Sequence, residues 1–326
     1  MNKSVLDSRE IIDTHVHPIR SLATGMSLIN EMDDAGISKA VLLALDLDKE
    51  LLDNDSNLKD EIVYDILSYS LFIDPYRLLD AMKQMLKIGN TPNTLIAELV
   101  KSFPDKFVGF GSVNPRKNSK YVKEKLKEID KLGLKGVKLL PTLQFFKPTG
   151  KLDGFFLSNK RQINYNLNLI FQYAKNKNLP ILIHPGKDPG PWEIHTLRYV
   201  QGSHPKNWKP IIKRFKNNKI IFAHLGCYGC DSYDDSWLGE CLSLATQYPF
   251  IYLDTSAVPY HLENQTIVDK IRETCSFNRI LFGTDTPVVQ GVNMKYNVKV
   301  IENSPFLTDD EKAKIFSENA KSLLSL

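Results

Sequence analysis

Short apolar runs recur along the chain at 11–16, 40–45, 107–113, 136–140, 180–183, 220–223, 250–253 and 279–282. We read each as a strand. Between them apolar positions return every three or four residues, most clearly at 121–132, 163–176, 211–216, 238–248 and 267–275, which predicts helices. Regular strand–helix alternation predicts a parallel sheet, because parallel neighbours need a crossover connection. Eight such strands favour closure into a (β/α)8 TIM barrel, an α/β fold, over an open doubly wound sheet.

Two stretches exceed the minimal barrel. Residues 46–100 begin polar and acidic and turn helical over 75–100, an insertion after strand 2 long enough to serve as a lid. Its aromatics Tyr64, Tyr69, Phe72 and Tyr76 are candidate pocket or packing residues, and Trp192 and Tyr228 are weaker pocket candidates. After strand 8, 292–303 and 308–324 predict extra helices, the second opening on a Thr308 cap followed by Asp309, Asp310 and Glu311. No repeat or domain boundary interrupts the pattern, so 1–326 reads as one domain.

Size and composition fit this picture. A barrel takes about 250 residues, and 326 leaves room for the insertions. The balance of 42 basic and 38 acidic residues gives net +4, too even to single out nucleic acid or a membrane surface as a partner. No apolar run approaches the roughly 18 residues of a membrane span, and Met1-Asn2-Lys3-Ser4 does not open a signal peptide. Cys227, Cys230, Cys241 and Cys275 are too few for a disulfide framework, so a reducing cytoplasm is the expected location. The Cys227–Cys230 pair lacks a second pair to complete a zinc site and reads as two small hydrophobes.

The chemistry lies in position. His15 and His17 end strand 1, Lys138 lies on strand 4, His184 ends strand 5, His224 ends strand 6 and Asp285 follows strand 8. A closed parallel barrel gathers all those ends on one face, where active sites are built. His15 and His17, two apart on a strand, point the same way. Two neutral imidazoles suit a borderline metal such as zinc, and a further histidine with an aspartate from other strands completes an open site. Taken singly, each residue has a plainer role: a surface pair, hydrogen-bonded structural histidines, a turn aspartate. Four of the seven histidines at strand ends make the metal reading the better one. Lys138 is either a lysine snorkelling to the rim or a group that grips substrate or, once carbamylated, bridges two metals. Asp13 either orients a histidine or satisfies backbone donors. His195, His204 and His261 read as solvated.

At these residues the chain resembles the amidohydrolase superfamily, closest to the branch containing aminocarboxymuconate-semialdehyde decarboxylase and related metal-dependent hydrolases. The resemblance runs from Ile11 to the end and includes the Ser317-Glu318-Asn319-Ala320 tail. It implies a divalent metal, usually zinc, on His15, His17, His184 and Asp285, with His224 as catalytic acid or base, and often a homodimer. It implies hydrolysis of a small carbonyl substrate, with nonoxidative decarboxylation as the alternative on the same site. A barrel that only binds a small molecule is the third reading. Strand 4 departs from the branch, with Leu139-Leu140-Pro141 where members often have Leu-His-Pro.

Overall fold

The computed structural model describes residues 10–19, 24–69, 72–148, 160–186, 197–226, 235–289 and 292–326. The first strand, β1 (Ile12–Val16), leads through α1 (Gly25–Ala35) to β2 (Lys39–Leu43). The insertion follows as α2 (Leu51–Asn54), α3 (Ser56–Tyr69) and α4 (Pro75–Gly89), and α5 (Asn93–Ser102) leads into β3 (Phe107–Ser112). Then come α6 (Ser119–Lys131), β4 (Val137–Leu139), α7 (Lys160–Lys177), β5 (Ile181–Ile183), α8 (Leu197–Ser203), α9 (Lys209–Arg214) and β6 (Ile220–Phe222). The chain continues through α10 (Asp235–Gln247), β7 (Ile251–Asp254), α11 (Gln265–Thr274) and β8 (Ile280–Leu281). It ends on α12 (Met294–Asn303), α13 (Asp309–Ala313) and α14 (Asn319–Leu324).

The eight strands pair in chain order, and every pairing is parallel. The ring closes from β8 to β1: Thr14 N–H donates to Phe282 O at 2.8 Å, Asp285 N–H to His15 O at 2.8 Å and His17 N–H to Thr286 O at 2.9 Å. Alternation along each strand sorts the core into two layers. Val137, Leu139, Ile181, Ile183, Ile220 and Phe222 face outward under the helices. Ile12, Val41, Phe110, Leu182, Ile221 and Leu281 fill the interior, joined by Ala320 and Leu323 of α14.

The insertion differs from its expected shape in two ways. The helix expected over 75–100 is two helices, broken at Asn90–Pro92, because a residue before proline is pushed out of the α region. Thr91 instead forms an antiparallel bridge with Leu45, closing the insertion at its base. Residues 51–69, expected polar, are helical, and the apolar side chains α3 buries are the narrow stripe Leu58, Ile62 and Ile66, with Glu61 buried beside them. That stripe joins Leu47, Leu79, Met82, Leu86, Leu140 and Leu143 in a second core under the insertion. Ion pairs fasten the insertion to the barrel. Arg116 donates to Asp55 at 2.8 and 3.0 Å and to Phe145 O at 2.9 Å, Arg198 to Asp65 at 2.6 Å, and the Tyr199 hydroxyl to Glu61 at 2.6 Å.

At the C-terminus, Thr308 and Glu311 form a reciprocal capping box, as the sequence predicts. The helix expected over 308–324 widens into a π turn at Lys314–Glu318, where Ile315 O accepts a hydrogen bond from Phe282 N–H. No helix among the described residues is long and apolar enough to cross a membrane.

Candidate metal centre

The barrel's closing seam builds the centre. A register shift between Asp13 and Val16 bulges β1 where it carries His15, and bulges re-aim side chains beside functional sites. Across the seam Asp285 takes a left-handed backbone (φ 64°), as do His224 (φ 57°) and Leu225 (φ 51°) after β6. Such non-glycine conformations cost about 1–3 kcal/mol each and concentrate at functional sites.

His15 Nε2 lies 3.2 Å from His17 Nε2, and both lie 3.3 Å from Asp285 Oδ1. A tetrahedral ion bonded at about 2.0–2.1 Å spaces its donors about 3.3 Å apart, so this triangle fits one. Burial lowers the pKa of His15 to about 3, reinforced by neighbouring Lys138, and burial likewise lowers His17, His184 and His224. A neutral imidazole can offer a lone pair, as a metal ligand must. Burial works to raise Asp285, but its contact with His17 and the field of His15 and His224 outweigh that and hold it below the usual carboxylate range.

Asp254, at the end of β7, was not among the sequence candidates. Its Oδ2 lies 2.9 Å from His15 Nδ1, and its Oδ1 accepts from His224 N–H at 2.9 Å, from Ser256 N–H at 3.1 Å and from the Ser256 hydroxyl. An ionised carboxylate only accepts, so the His15 proton sits on Nδ1 and the Nε2 lone pair faces the triangle. Asp13 does not hold a ring. It accepts His15 N–H at 2.9 Å, Thr284 N–H at 3.1 Å and the Thr284 hydroxyl at 2.6 Å, while burial pushes it up to about 7. Of its two expected roles it fills the one of satisfying backbone donors.

His224 Nδ1 lies 2.9 Å from the Ser256 carbonyl oxygen, also an acceptor only, so the proton sits on Nδ1. Its Nε2 then accepts from His184 Nδ1 at 2.9 Å, which leaves His184 Nε2 with its lone pair. The ligand atoms of His15, His17 and Asp285 lie close enough to share an ion, and so do those of His15, His224 and Asp254. The second group is satisfied as a hydrogen-bond network, because His15 Nδ1 and Asp254 already engage each other.

Fully buried Lys138 reaches the same point, with Nζ 3.2 Å from His15 Nε2. It does not snorkel to solvent. A cavity of about 110 Å³ is lined by His17, Lys138, His184 and Asp285. Leu47, Met85, Leu140 and Leu143 line it too, a wall the sequence did not single out because such leucines read as core. Tyr64, Phe72 and Tyr76 correct the expectation that insertion aromatics pack or line the pocket: all three are largely exposed. His204 caps a short helical turn by accepting Lys206 N–H, and His261 is buried rather than solvated. Trp192, His195, Cys227, Tyr228 and Cys230 lie outside the described residues.

The amidohydrolase family model matches residues 12–326. No curated protein matches the chain in sequence. Among solved structures, a probable 2-pyrone-4,6-dicarboxylic acid hydrolase from Acinetobacter baumannii is 14% identical, with TM-score 0.61 over 97% of this chain and 99% of that one. The 5-carboxyvanillate decarboxylase from Sphingomonas paucimobilis is 14% identical, with TM-score 0.62 over 98% and 100%. A dihydroxybenzoic acid decarboxylase from Polaromonas sp. JS666, with bound manganese, is 15% identical, with TM-score 0.56 over 98% and 97%. At such identities the likeness is one of fold, and the family match carries the assignment. The chain belongs to the amidohydrolase family, in its amidohydrolase-2 branch.

Proposed function

We propose that this chain is a metal-dependent hydrolase of a small carbonyl substrate, with zinc held by His15, His17, His184 and Asp285. The observation that carries the reading is the triangle of His15, His17 and Asp285 donors at 3.2–3.3 Å, with His184 lining the same cavity. When bound, a divalent ion supplies Lewis acidity toward a carbonyl and toward water at neutral pH. Asp285, ionised, accepts the proton that the attacking water gives up. His224, its Nδ1 held by Ser256, serves as the acid through Nε2, taking up the proton that Asp285 has accepted and giving it to the leaving group. Lys138 offers its cation to the polar end of the substrate. The insertion acts as the lid, since Leu47 and Met85 cover the cavity. We extend the proposal to a cytoplasmic homodimer, in which the thiols of Cys241 and Cys275 stay reduced.

Decarboxylation is the second reading, favoured by the buried Lys138 cation beside the donors, a natural partner for a carboxylate. Two of the similar structures are decarboxylases by name. Elemental analysis of the purified protein tests the ion and tells zinc from manganese. Esters, lactones, amides and aromatic carboxylates, assayed with CO2 detection, then separate the reactions. Hydrolysis without CO2 release supports the first reading, CO2 release the second. Absence of any metal, with stability unchanged in chelator, leaves only a binding barrel.

A further inference from the structure

The cavity's lining falls into two chemical groups. His17, Lys138, His184 and Asp285 are polar, with His17, Lys138 and Asp285 gathered around His15, whereas Leu47, Met85, Leu140 and Leu143 are apolar and pack in the core under the insertion. Among the described lining residues Lys138 is the one lysine or arginine. The aliphatic wall is not soft. Leu47, Leu140 and Leu143 belong to the core that also holds Leu79, Met82 and Leu86 of α4. The Leu45–Thr91 bridge pins α4's exit, and the Arg116–Asp55 pair ties the insertion's start to the barrel. At Gly89, also in the lining, an added Cβ would come within 3.2 Å of Leu47 Cδ1, so the chain keeps this corner small.

A second charged group pressed against Leu47, Leu140 and Leu143 would meet no cation among the described lining residues, and burying an unpaired charge is strongly unfavourable. An apolar group there is favoured by the removal of its surface from water. An engineered apolar cavity of about 150 Å³ takes a benzene ring, so a whole cavity of about 110 Å³ is too small for a six-membered ring with its head and limits the apolar part to a short branched chain.

We propose that the substrate carries a single polar head, a carbonyl or carboxylate, on a short branched aliphatic body, and that the wall of Leu47, Met85, Leu140 and Leu143 selects for it against dianions. This rests on the hydrolase reading for the head and on the insertion's core for the body. The test uses the full-length, zinc-loaded protein and calorimetric binding of acetate, 3-methylbutanoate and 3-methylpentanedioate. The branched monoacid is expected to bind at least tenfold more tightly than either of the others. In Gly89→Leu, which fills the corner without adding polarity, that preference is expected to vanish while zinc content is kept.

Equal binding of the three probes, or tighter binding of the diacid, overturns the proposal, whether or not the variant folds. Zinc content read on the same samples keeps the two ideas apart. Protein that holds no metal yet still prefers the branched body sinks the hydrolase reading alone, whereas metal retained with a flat panel sinks this one alone.

Discussion

Replacing Asp254 by asparagine tests how the centre is held. Three donors converge on Oδ1, from His224 N–H, Ser256 N–H and the Ser256 hydroxyl, whereas Oδ2 meets only the His15 ring and Ser256 does not donate to it. The amide oxygen of Asp254→Asn therefore takes the Oδ1 place, and its NH2 points at His15 Nδ1, 2.9 Å away in the native protein. An NH2 group can only donate, so the His15 proton is driven from Nδ1 to Nε2, onto the atom that faces His17 and Asp285. A metal must then bind against the preferred tautomer. Loss of an outer partner of a ligating histidine typically costs 10–100-fold in metal affinity, or about 1.4–2.8 kcal/mol. The enforced tautomer puts Asp254→Asn toward the upper end. Competition against a fluorescent chelator measures zinc affinity directly, and far-ultraviolet circular dichroism checks that the barrel is intact. Native-like zinc affinity in a folded Asp254→Asn protein would refute the assignment of Asp254 as the group that orients His15.

Other consequences follow from the same contacts. His224→Ala is expected to lower turnover by about 10²–10⁴-fold while metal content stays near native; a parallel loss of metal would instead make His224 a positioning residue for His184. Chelation of the zinc-loaded protein should lower its Tm, since free ligand at about 1,000 times Kd contributes about 4 kcal/mol; an unchanged melting curve contradicts a metal in the seam. Asp55→Ala removes the carboxylate from nearly buried Arg116, and with Asp55 partly solvated a loss of about 2–3 kcal/mol is expected, seen as faster proteolysis within 46–92 ahead of global unfolding. Burial lowers His261 to about 4, whereas the unfolded chain takes up that proton near 6.5. Stability is therefore full above pH 6.5 and falls toward pH 4, by up to about 3 kcal/mol, and denaturant titrations of His261→Gln should show a flatter acid limb.

The legible parts of this chain were those with a short period. Strand alternation and helical spacing survive in any window of ten residues, so the barrel and the facing of His15 and His17 could be read directly. Asp254 carries no such mark. Its partner His15 is 239 residues away, and a lone aspartate before Thr255-Ser256 looks like any strand end. The one available cue was a polar residue at the C-terminal end of β7, on the face where His184 and His224 stand just past β5 and β6. Helix α3 escaped because its buried stripe is a single row of Leu58, Ile62 and Ile66 amid charged residues. The cavity wall escaped for a different reason: Leu140 facing a cavity and Leu139 under a helix are the same residue type with opposite parity. Only closure of the barrel decides which of them meets a ligand.

Closure also explains why the centre stands where it does. Seven strand pairs are made by ladders between strands consecutive in sequence, but the eighth must join the two ends of the barrel, Thr14 and Phe282 being 268 residues apart. There the pairing thins to a single bridge, Val16 with Thr286, and a few hydrogen bonds. Asp13 adds side-chain bonds to Thr284, and its burial at that place is unfavourable for its charge. A cation shared by His15 and His17 on one side and Asp285 on the other would cross-link those ends at the point of weakest pairing. Catalysis and closure would then draw on the same bonds. The strained backbone at Asp285 is consistent with this: the chain accepts an unfavourable conformation where a carboxylate is needed across the seam. The loop following β6 shows the same choice at His224, where the strand turns early so that the ring meets His184 and Ser256 instead of continuing the ladder.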